Sequence, residues 1–479
     1  MDQSDYIKVE LKLLQILTTN QAWHYCIIPK SANNGNLSFY IDKSKYRLDL
    51  VNELELLFGK TIDLELSPSA VIQRSLGKYY LKENTTGNNS SQNISILNGG
   101  EDFLVSLIKE AKNLGSSDIH IEAFEETCRV RIRIDGVLIE RYIIEKEDYP
   151  GLVNKIKISS NLDISEKRLP QDGRIFFNEQ DEKFDIRVSI LPTLYGEKVV
   201  LRLLSNDASS LDINTLGFSK TDLENYLEGI KKPHGIVLIS GPTGSGKTTT
   251  LYATLKILNN YTTNILTIED PIEYTLYGIN QVQLKENIGL DFARALKTFL
   301  RQDPDIIMVG EIRDKETASM AVRASLTGHL VLSTIHTNSA WGSIARLIDM
   351  GIPPFLIANT LNLSVAQRLV RLLCFKCKKK TKLGSKMYPK NFKPKNDIKE
   401  HYTPIGCDQC FYTGYKSRQA IIEVIPINVE LTEKIKSEEL DVTEYLEKIG
   451  VKTLSNHAFE LFSKGQTSLE EVYPILLNN

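Results

Sequence analysis

Short, almost unbroken apolar runs alternate with helix-length segments through the second half of the chain. Ile236-Val237-Leu238-Ile239, Ile265-Leu266-Thr267-Ile268, Ile306-Ile307-Met308-Val309 and Leu330-Val331-Leu332-Ser333 are the clearest. Runs of this kind suit strands buried on both faces. Their alternation with helices predicts a parallel sheet with crossover connections, starting near Leu211 and filling residues 208–479. The pattern before that point is different. Phe103, Leu104, Leu107, Ile108, Ala111 and Leu114 make one helical face, and Gly115 stands where a helix stops. Val130, Ile132 and Ile134 then alternate with Arg129, Arg131 and Arg133, which predicts a half-buried strand with an arginine face. Asp135-Gly136 signals a hairpin into Val137-Leu138-Ile139. A second arginine-bearing block runs from Lys167 to Arg202, so residues 101–207 read as one α/β domain with a hinge at 206–210. In residues 1–82, Ile7, Leu11, Leu14 and Leu17 predict an amphipathic helix at the start of a separate domain. Residues 83–100 are polar and poor in apolar side chains, which predicts a flexible linker.

Composition narrows the class. A chain of 479 residues predicts two to four domains, and 42% hydrophobic with 25% charged residues is ordinary for a globular protein. A formal net charge of −2 argues against a chain-wide nucleic-acid footprint, so no nucleic acid is expected as a partner. No apolar run approaches the length of a membrane helix, and the acidic start Met1-Asp2-Gln3-Ser4-Asp5 lacks a signal sequence, so a cytoplasmic location is expected.

The chemistry concentrates in a few places. Gly241-Pro242-Thr243-Gly244-Ser245-Gly246-Lys247-Thr248 follows an apolar strand and opens a helix at Thr249, the context that a phosphate-binding loop requires. Loop amides and the helix N-terminus would hold the phosphates of ATP, Lys247 would reach the terminal ones, and Thr248 would ligate Mg²⁺. Acidic clusters follow two of the other strands: Glu269-Asp270-Pro271-Ile272-Glu273, and Glu311 to Asp314 after Gly310. Acids at the carboxyl ends of parallel strands converge on a ligand bound there, so Glu269 and Glu311 are the candidates for holding Mg²⁺ or polarising the attacking water. Asp305 precedes its strand and reads as a cap. His336 ends the last of these strands and is a candidate phosphate sensor. His329, at the other end, reads as structural.

Cys374-Phe375-Lys376-Cys377 and Cys407-Asp408-Gln409-Cys410 are two CxxC knuckles, and together they supply a closed tetrahedral thiolate set for a structural Zn²⁺ in a lobe at 374–410. Cys26 and Cys128 stand alone and read as buried thiols. Between Cys374 and Glu400 ten lysines face only Asp397 and Glu400, a local positive lobe that is either solvated or set against an anionic membrane.

These motifs resemble, in order, the boxes of the type II secretion and type IV pilus assembly ATPases. The similar text includes Ser116-Ser117-Asp118-Ile119-His120-Ile121-Glu122, Arg168 to Arg174, the phosphate loop, Glu269 to Tyr274, Leu300 to Asp314, and Thr327 to Asn338. The resemblance implies a RecA-like P-loop ATPase domain preceded by a PAS-like α/β domain, with a small four-cysteine zinc lobe, a C-terminal helical part at 426–479 and a separate N-terminal docking domain. It also implies a homo-hexamer whose ATP hydrolysis powers pilin or pseudopilin assembly through an inner-membrane platform protein and a cytoplasmic adaptor, with peripheral contact at the inner membrane. The family's trans-acting arginines fall on Arg174 and Arg187. A pilus retraction ATPase, a DNA-uptake or helicase-like motor and a non-enzymatic scaffold are the competing readings. The cysteine knuckles count against the first, the near-neutral charge against the second and the acids against the third.

Overall fold

The computed structural model describes residues 6–80, 103–203, 212–392, 394 and 398–477, apart from residues 8, 10, 15, 18, 34, 48, 180, 181, 385, 386 and 440. The linker at 83–100 and the hinge at 206–210 lie outside the described residues.

The N-terminal part opens with a single helical turn, α1 (Leu11–Leu14), and a separate helix, α2 (Thr19–Tyr25). Of the one amphipathic helix expected over Ile7 to Leu17, only the turn Leu11–Leu14 is helical among the described residues, and α2 begins beyond it. Leu17 reaches the core from the bend between them, and Ile7 and Leu14 pack beside it, so the apolar spacing does mark packed positions but without a continuous helix. Strands β1 (Ile27–Asn33) and β2 (Asn36–Asp42) form a hairpin, and helix α3 (Leu50–Phe58) carries the chain to β3 (Thr61–Ser67), parallel to β2. Helix α4 (Ser69–Tyr79) closes this unit over Phe39, Leu54, Ile72 and Leu76.

Helix α5 (Phe103–Asn113) buries Leu104, Leu107, Ile108 and Ala111, as its period predicts. It ends at Gly115, whose φ of 65° lets the Ser116 amide return to the Ala111 carbonyl at 2.8 Å. The next sheet is antiparallel throughout. It comprises β4 (Asp118–Ala123), β5 (Cys128–Ile134), β6 (Val137–Ile144), β7 (Gln171–Glu179), β8 (Glu182–Thr193) and β9 (Gly196–Leu203), in the order β6-β5-β4-β9-β8-β7. Asp135 (φ 48°) and Gly136 (φ 86°) make the two-residue turn between β5 and β6. One face of this sheet packs on α5 and on α6 (Tyr149–Ser159) through Ile119, Val130, Ile132, Ile186, Val188 and Leu201. The alternate residues give the other face its arginines.

Helix α7 (Lys220–Ile230) leads into the large sheet. This holds β10 (Gly235–Ser240), β11 (Ile265–Glu269), β12 (Asn280–Gln283), β13 (Ile306–Val309), β14 (Leu330–Ile335) and β15 (Leu361–Leu373), all parallel to their neighbours. Helices α8 (Lys247–Leu258), α9 (Phe292–Phe299) and α10 (Lys315–Leu326) are among the crossovers. β10, β11, β13 and β14 are buried along their whole lengths, which is why they read as continuous apolar runs. A small ribbon of β16 (Lys379–Lys382) and β17 (Glu400–Thr403) leaves the end of β15. Strand β18 (Tyr415–Pro426) returns antiparallel to β15, giving the order β12-β11-β13-β14-β10-β15-β18. The fold is thus the expected mixed α/β architecture: a doubly covered parallel sheet preceded by an antiparallel α/β domain and a separate N-terminal unit. Among the described residues no helix is long and apolar enough to cross a membrane.

Candidate functional site

The loop from Gly241 to Gly246 joins the carboxyl end of β10, a central strand, to the N-terminus of α8. Its turn depends on glycine at two points. Gly241 has φ of 147°, and a Cβ there would lie 2.4 Å from the Gln367 carbonyl oxygen; Gly246 has φ of 86° and caps the helix. Lys247 is buried, and its Nζ donates to the carbonyls of Gly241 (2.9 Å) and Pro242 (3.0 Å), so it lies folded along its own loop. Burial pushes its ammonium below the ordinary lysine range, and the nearby Glu311 carboxylate opposes that. Thr248 is exposed, while Pro242, Gly246 and Thr249 are half-buried. Thr243 and Gly244 are exposed as well, whereas Ser245 is buried.

Sequence reasoning missed the residue that braces this loop. Gln367, on β15 and 2% exposed, donates from Nε2 to the Ser245 carbonyl (2.9 Å) and accepts at Oε1 from the Thr250 hydroxyl (2.8 Å). It links the loop and the first turn of α8 to a neighbouring strand. A lone glutamine 122 positions from Ser245 carries no local signal of this.

The expected acids do converge on the carboxyl edge of the sheet, in two different states. Glu311 follows β13. It pairs through Oε1 with Arg313 Nη2, and its Oε2 lies 3.3 Å from Nε2 of His336, at the end of β14. Burial alone would raise its pKa, but Arg313 and His336 hold it below the usual carboxylate range, so it is ionised at neutral pH. Glu269, at the end of β11, is buried and its oxygens are occupied. It accepts from Tyr252, from the Thr267 hydroxyl (2.6 Å) and from Gln281 Nε2 (3.0 Å). Burial beside Glu269 pushes the Tyr252 phenol up and keeps it a donor. His329 Nδ1 lies 2.8 Å from the Ala324 carbonyl at the end of α10, a local contact, whereas Asp305 is not a local cap: it accepts from the Asn264 amide at 2.7 Å and so joins the starts of two neighbouring strands, β11 and β13.

Arg174 and Arg187 stand opposite each other on β7 and β8, and Arg187 stands opposite Arg202 on β9. The row continues through Asp118 on β4 to Arg133 on β5. Arg187 crosses to the large domain: Nη2 donates to the Ile272 carbonyl (2.7 Å) and Nη1 lies 3.6 Å from Glu273. With Pro271, the three arginines line a cavity of about 480 Å³. Arg202 was not singled out from sequence, because only strand register reveals that it shares the row.

The four Sγ atoms of Cys374, Cys377, Cys407 and Cys410 lie within 4.8 Å of one another, with Cys374–Cys407 at 3.8 Å and both Cys377–Cys410 and Cys407–Cys410 at 3.7 Å. Tetrahedral thiolates about 2.3 Å from a zinc ion stand about 3.8 Å apart, so the set fits that ion. In the lysine-rich lobe, Lys378 donates to the Gly465 carbonyl (2.8 Å) and Lys380 pairs with Glu400 (2.5 Å), so these two are tied down.

A glycine-rich loop at the centre of a parallel sheet, with acids at the neighbouring strand ends, is an arrangement that can hold the phosphates of a nucleotide. The family model for type II/IV secretion system proteins matches residues 99–474, and the chain belongs to that family. It is 43% identical to the type IV pilus assembly ATPase PilB of Myxococcus xanthus, over 97% of this chain and 86% of that one. It is 44% identical to the type II secretion system ATPase E of Vibrio cholerae, over 80% of this chain and 77% of that one. Among solved structures, the pilus retraction motor PilT with bound ADP superposes with a TM-score of 0.54 at 26% identity, covering 78% of this chain and 96% of that one. The chain is accordingly an ATPase of the secretion and pilus assembly machinery.

Proposed function

We propose that the chain hydrolyses ATP at the Gly241–Thr249 loop and uses the resulting domain movement to assemble a type IV pilus. One observation carries the choice of cargo. The pilus assembly relative from Myxococcus aligns over 97% of the chain, N-terminal domain included, whereas the Vibrio secretion relative aligns over 80% and the Pseudomonas pilus assembly relative over 77%, so the match through the N-terminal domain, not coverage by pilus relatives in general, favours this cargo. The loop amides of Gly241 to Gly246 and the N-terminus of α8 hold the phosphates. Lys247 exchanges its two carbonyl partners for phosphate oxygens. Thr248 and Glu311 would hold Mg²⁺, which would supply charge neutralisation of the phosphates. Glu311, already ionised, orients the attacking water, and His336 holds that carboxylate in place. Glu269, with its lone pairs committed, acts instead by positioning Tyr252 and the end of β11. Arg174, Arg187 and Arg202 offer positive charge to a terminal phosphate from a separate domain, which ties hydrolysis to movement. Six copies in a ring, docked on an inner-membrane platform protein and a cytoplasmic adaptor, complete this reading.

The test has two arms. Glu311→Gln should bind nucleotide like the parent and turn over far more slowly, whereas Lys247→Ala should lose binding as well; near-parental turnover of Glu311→Gln removes it from the site. In cells lacking the chain, surface pili should disappear and return with the parent but not with Lys247→Ala. Loss of a secreted protein with pili intact would reassign the motor to secretion.

A further inference from the structure

Three parts of the chain meet just beyond the second cysteine knuckle, and none of the chemistry described so far explains the meeting. Tyr412 lies two residues past Cys410, in the left-handed region at φ of 56°, and Phe411 beside it has φ of 49°. Both conformations are unfavourable for residues with a side chain, so the knuckle must impose them. It does so directly. The Cys407 carbonyl accepts from the amides of Cys410 (3.1 Å) and Tyr412 (3.0 Å), and the Gly406 backbone lies so close to Tyr412 that a Cβ there would stand 2.6 Å from its carbonyl oxygen. The turn that presents Cys407 and Cys410 to a metal therefore also aims the Tyr412 ring.

The ring points into the N-terminal unit. Its centroid is 6.0 Å from that of Trp23 on α2, at an interplanar angle of 48°. It also lies against Gly77 of α4, where a Cβ would stand 2.2 Å from Tyr412 Cδ1. Glycine inside a helix is a liability, and here it falls at the one turn where any side chain would strike the ring. Trp23 is fastened to the end of α4 through its indole N–H and the Tyr80 carbonyl. On its other side the same segment holds the antiparallel domain: the Ser417 amide donates to Asp135 Oδ2 (2.8 Å), and Arg418 Nε lies 3.4 Å from Asp135 Oδ1.

We infer that the second cysteine knuckle is the seat of the N-terminal domain on the motor, with Tyr412 as its contact residue, and that zinc held by the four cysteines keeps that domain docked. The inference rests on the zinc reading of the knuckles, and the experiment separates the two.

The chain has two tryptophans, so Trp341→Phe leaves Trp23 as the sole indole emitter in the full-length protein. Acrylamide quenching of Trp23 then reports the contact, and elemental analysis reports zinc. Removing the ring with Tyr412→Ala should raise the quenching constant about twofold by stripping one aromatic cover from the indole. Zinc should stay bound in that variant. Gly77→Leu, which pushes the ring away from the opposite side, should do the same, and Tyr412→Phe should match the parent. Stripping the metal with a strong chelator should raise quenching as Tyr412→Ala does. Zinc-loaded Tyr412→Ala that is quenched like the parent overturns the seat. A chelated protein with parental quenching overturns the metal's control of it, and a parent without zinc overturns the zinc reading while the Tyr412 arm still tests the seat.

Discussion

Gln367→Ala isolates the brace behind the phosphate loop. The substitution leaves the Ser245 carbonyl and the Thr250 hydroxyl, both beside a fully packed strand, without their partners at 2.9 and 2.8 Å. Each unsatisfied buried polar group costs about 1–3 kcal/mol, and Thr250 recovers part of its share because the Gly246 carbonyl is 3.4 Å away, so about 2–4 kcal/mol is expected. For a domain of this size that corresponds to a fall of about 4–16 °C in the unfolding midpoint. The loss falls on the loop itself, so nucleotide affinity should weaken too. Gln367→Glu should be worse than Ala, because it sets a carboxylate oxygen against the Ser245 carbonyl. Thermal unfolding with and without nucleotide, together with a binding isotherm, measures both effects. If Gln367→Ala melts within a degree of the parent and binds nucleotide equally well, the loop is held by its own glycines and the brace is incidental.

In the antiparallel domain, Glu122 is held down at about 2 by Arg131, Lys198 and Arg129 against the opposing effect of burial. A depressed folded value means stability that is complete above the unfolded carboxylate pKa and disappears as pH falls through the folded one, so about 3 kcal/mol should be lost between roughly pH 4.5 and 2; Glu122→Gln should flatten that limb, measured by denaturation at several pH values. Arg187→Ala and Arg202→Ala should each cut turnover steeply, toward the factor of about 10³–10⁵ seen for arginines that reach a transferring phosphoryl group, with ATP binding retained. A steady-state assay checks this, and parental turnover in either variant would leave it a sheet residue. Cys407→Ser should abolish zinc in elemental analysis while the loop still binds nucleotide.

What the sequence disclosed depends on how far apart the deciding residues lie. The four fully buried strands, the Asp135-Gly136 turn and the phosphate loop each declare themselves locally, because burial on both faces, positive φ and close backbone approach leave signatures in a few adjacent residues. The cysteine set could be recognised at a distance because two CxxC pairs are a distinctive spacing for ligands of one ion. Gln367 and Arg202 left no such trace. Their roles come from strand register, which sets Arg202 opposite Arg187 and places β15 beside β10. Glu269 and Glu311 looked alike in sequence, each an acid after an apolar strand. They differ because Tyr252, Thr267 and Gln281 close around one, whereas Arg313 and His336 flank the other. The first helix was misjudged because apolar spacing is satisfied equally by one helix and by a chain that leaves the helix after one turn.

The arginine row also carries an energetic argument about the motor. Like charges directly opposite each other on a sheet are unfavourable, yet Arg174, Arg187 and Arg202 follow one another across three strands. Asp118 relieves one end by accepting from Arg202 at 2.9 Å and lying 3.4 Å from Arg133. Glu273, across the domain boundary, stands 3.6 Å from Arg187, while Arg174 remains exposed. A purely structural sheet gains nothing from this arrangement. An anion arriving beside Pro271, as the proposed function requires, would relieve it, and its departure would restore the repulsion. By reciprocity, whatever the phosphate contributes to closing the antiparallel domain on the large one, that closure returns as affinity for the phosphate. Screening the row with salt should therefore narrow the difference in domain closure between nucleotide-bound and nucleotide-free protein, whereas closure governed by apolar packing would persist.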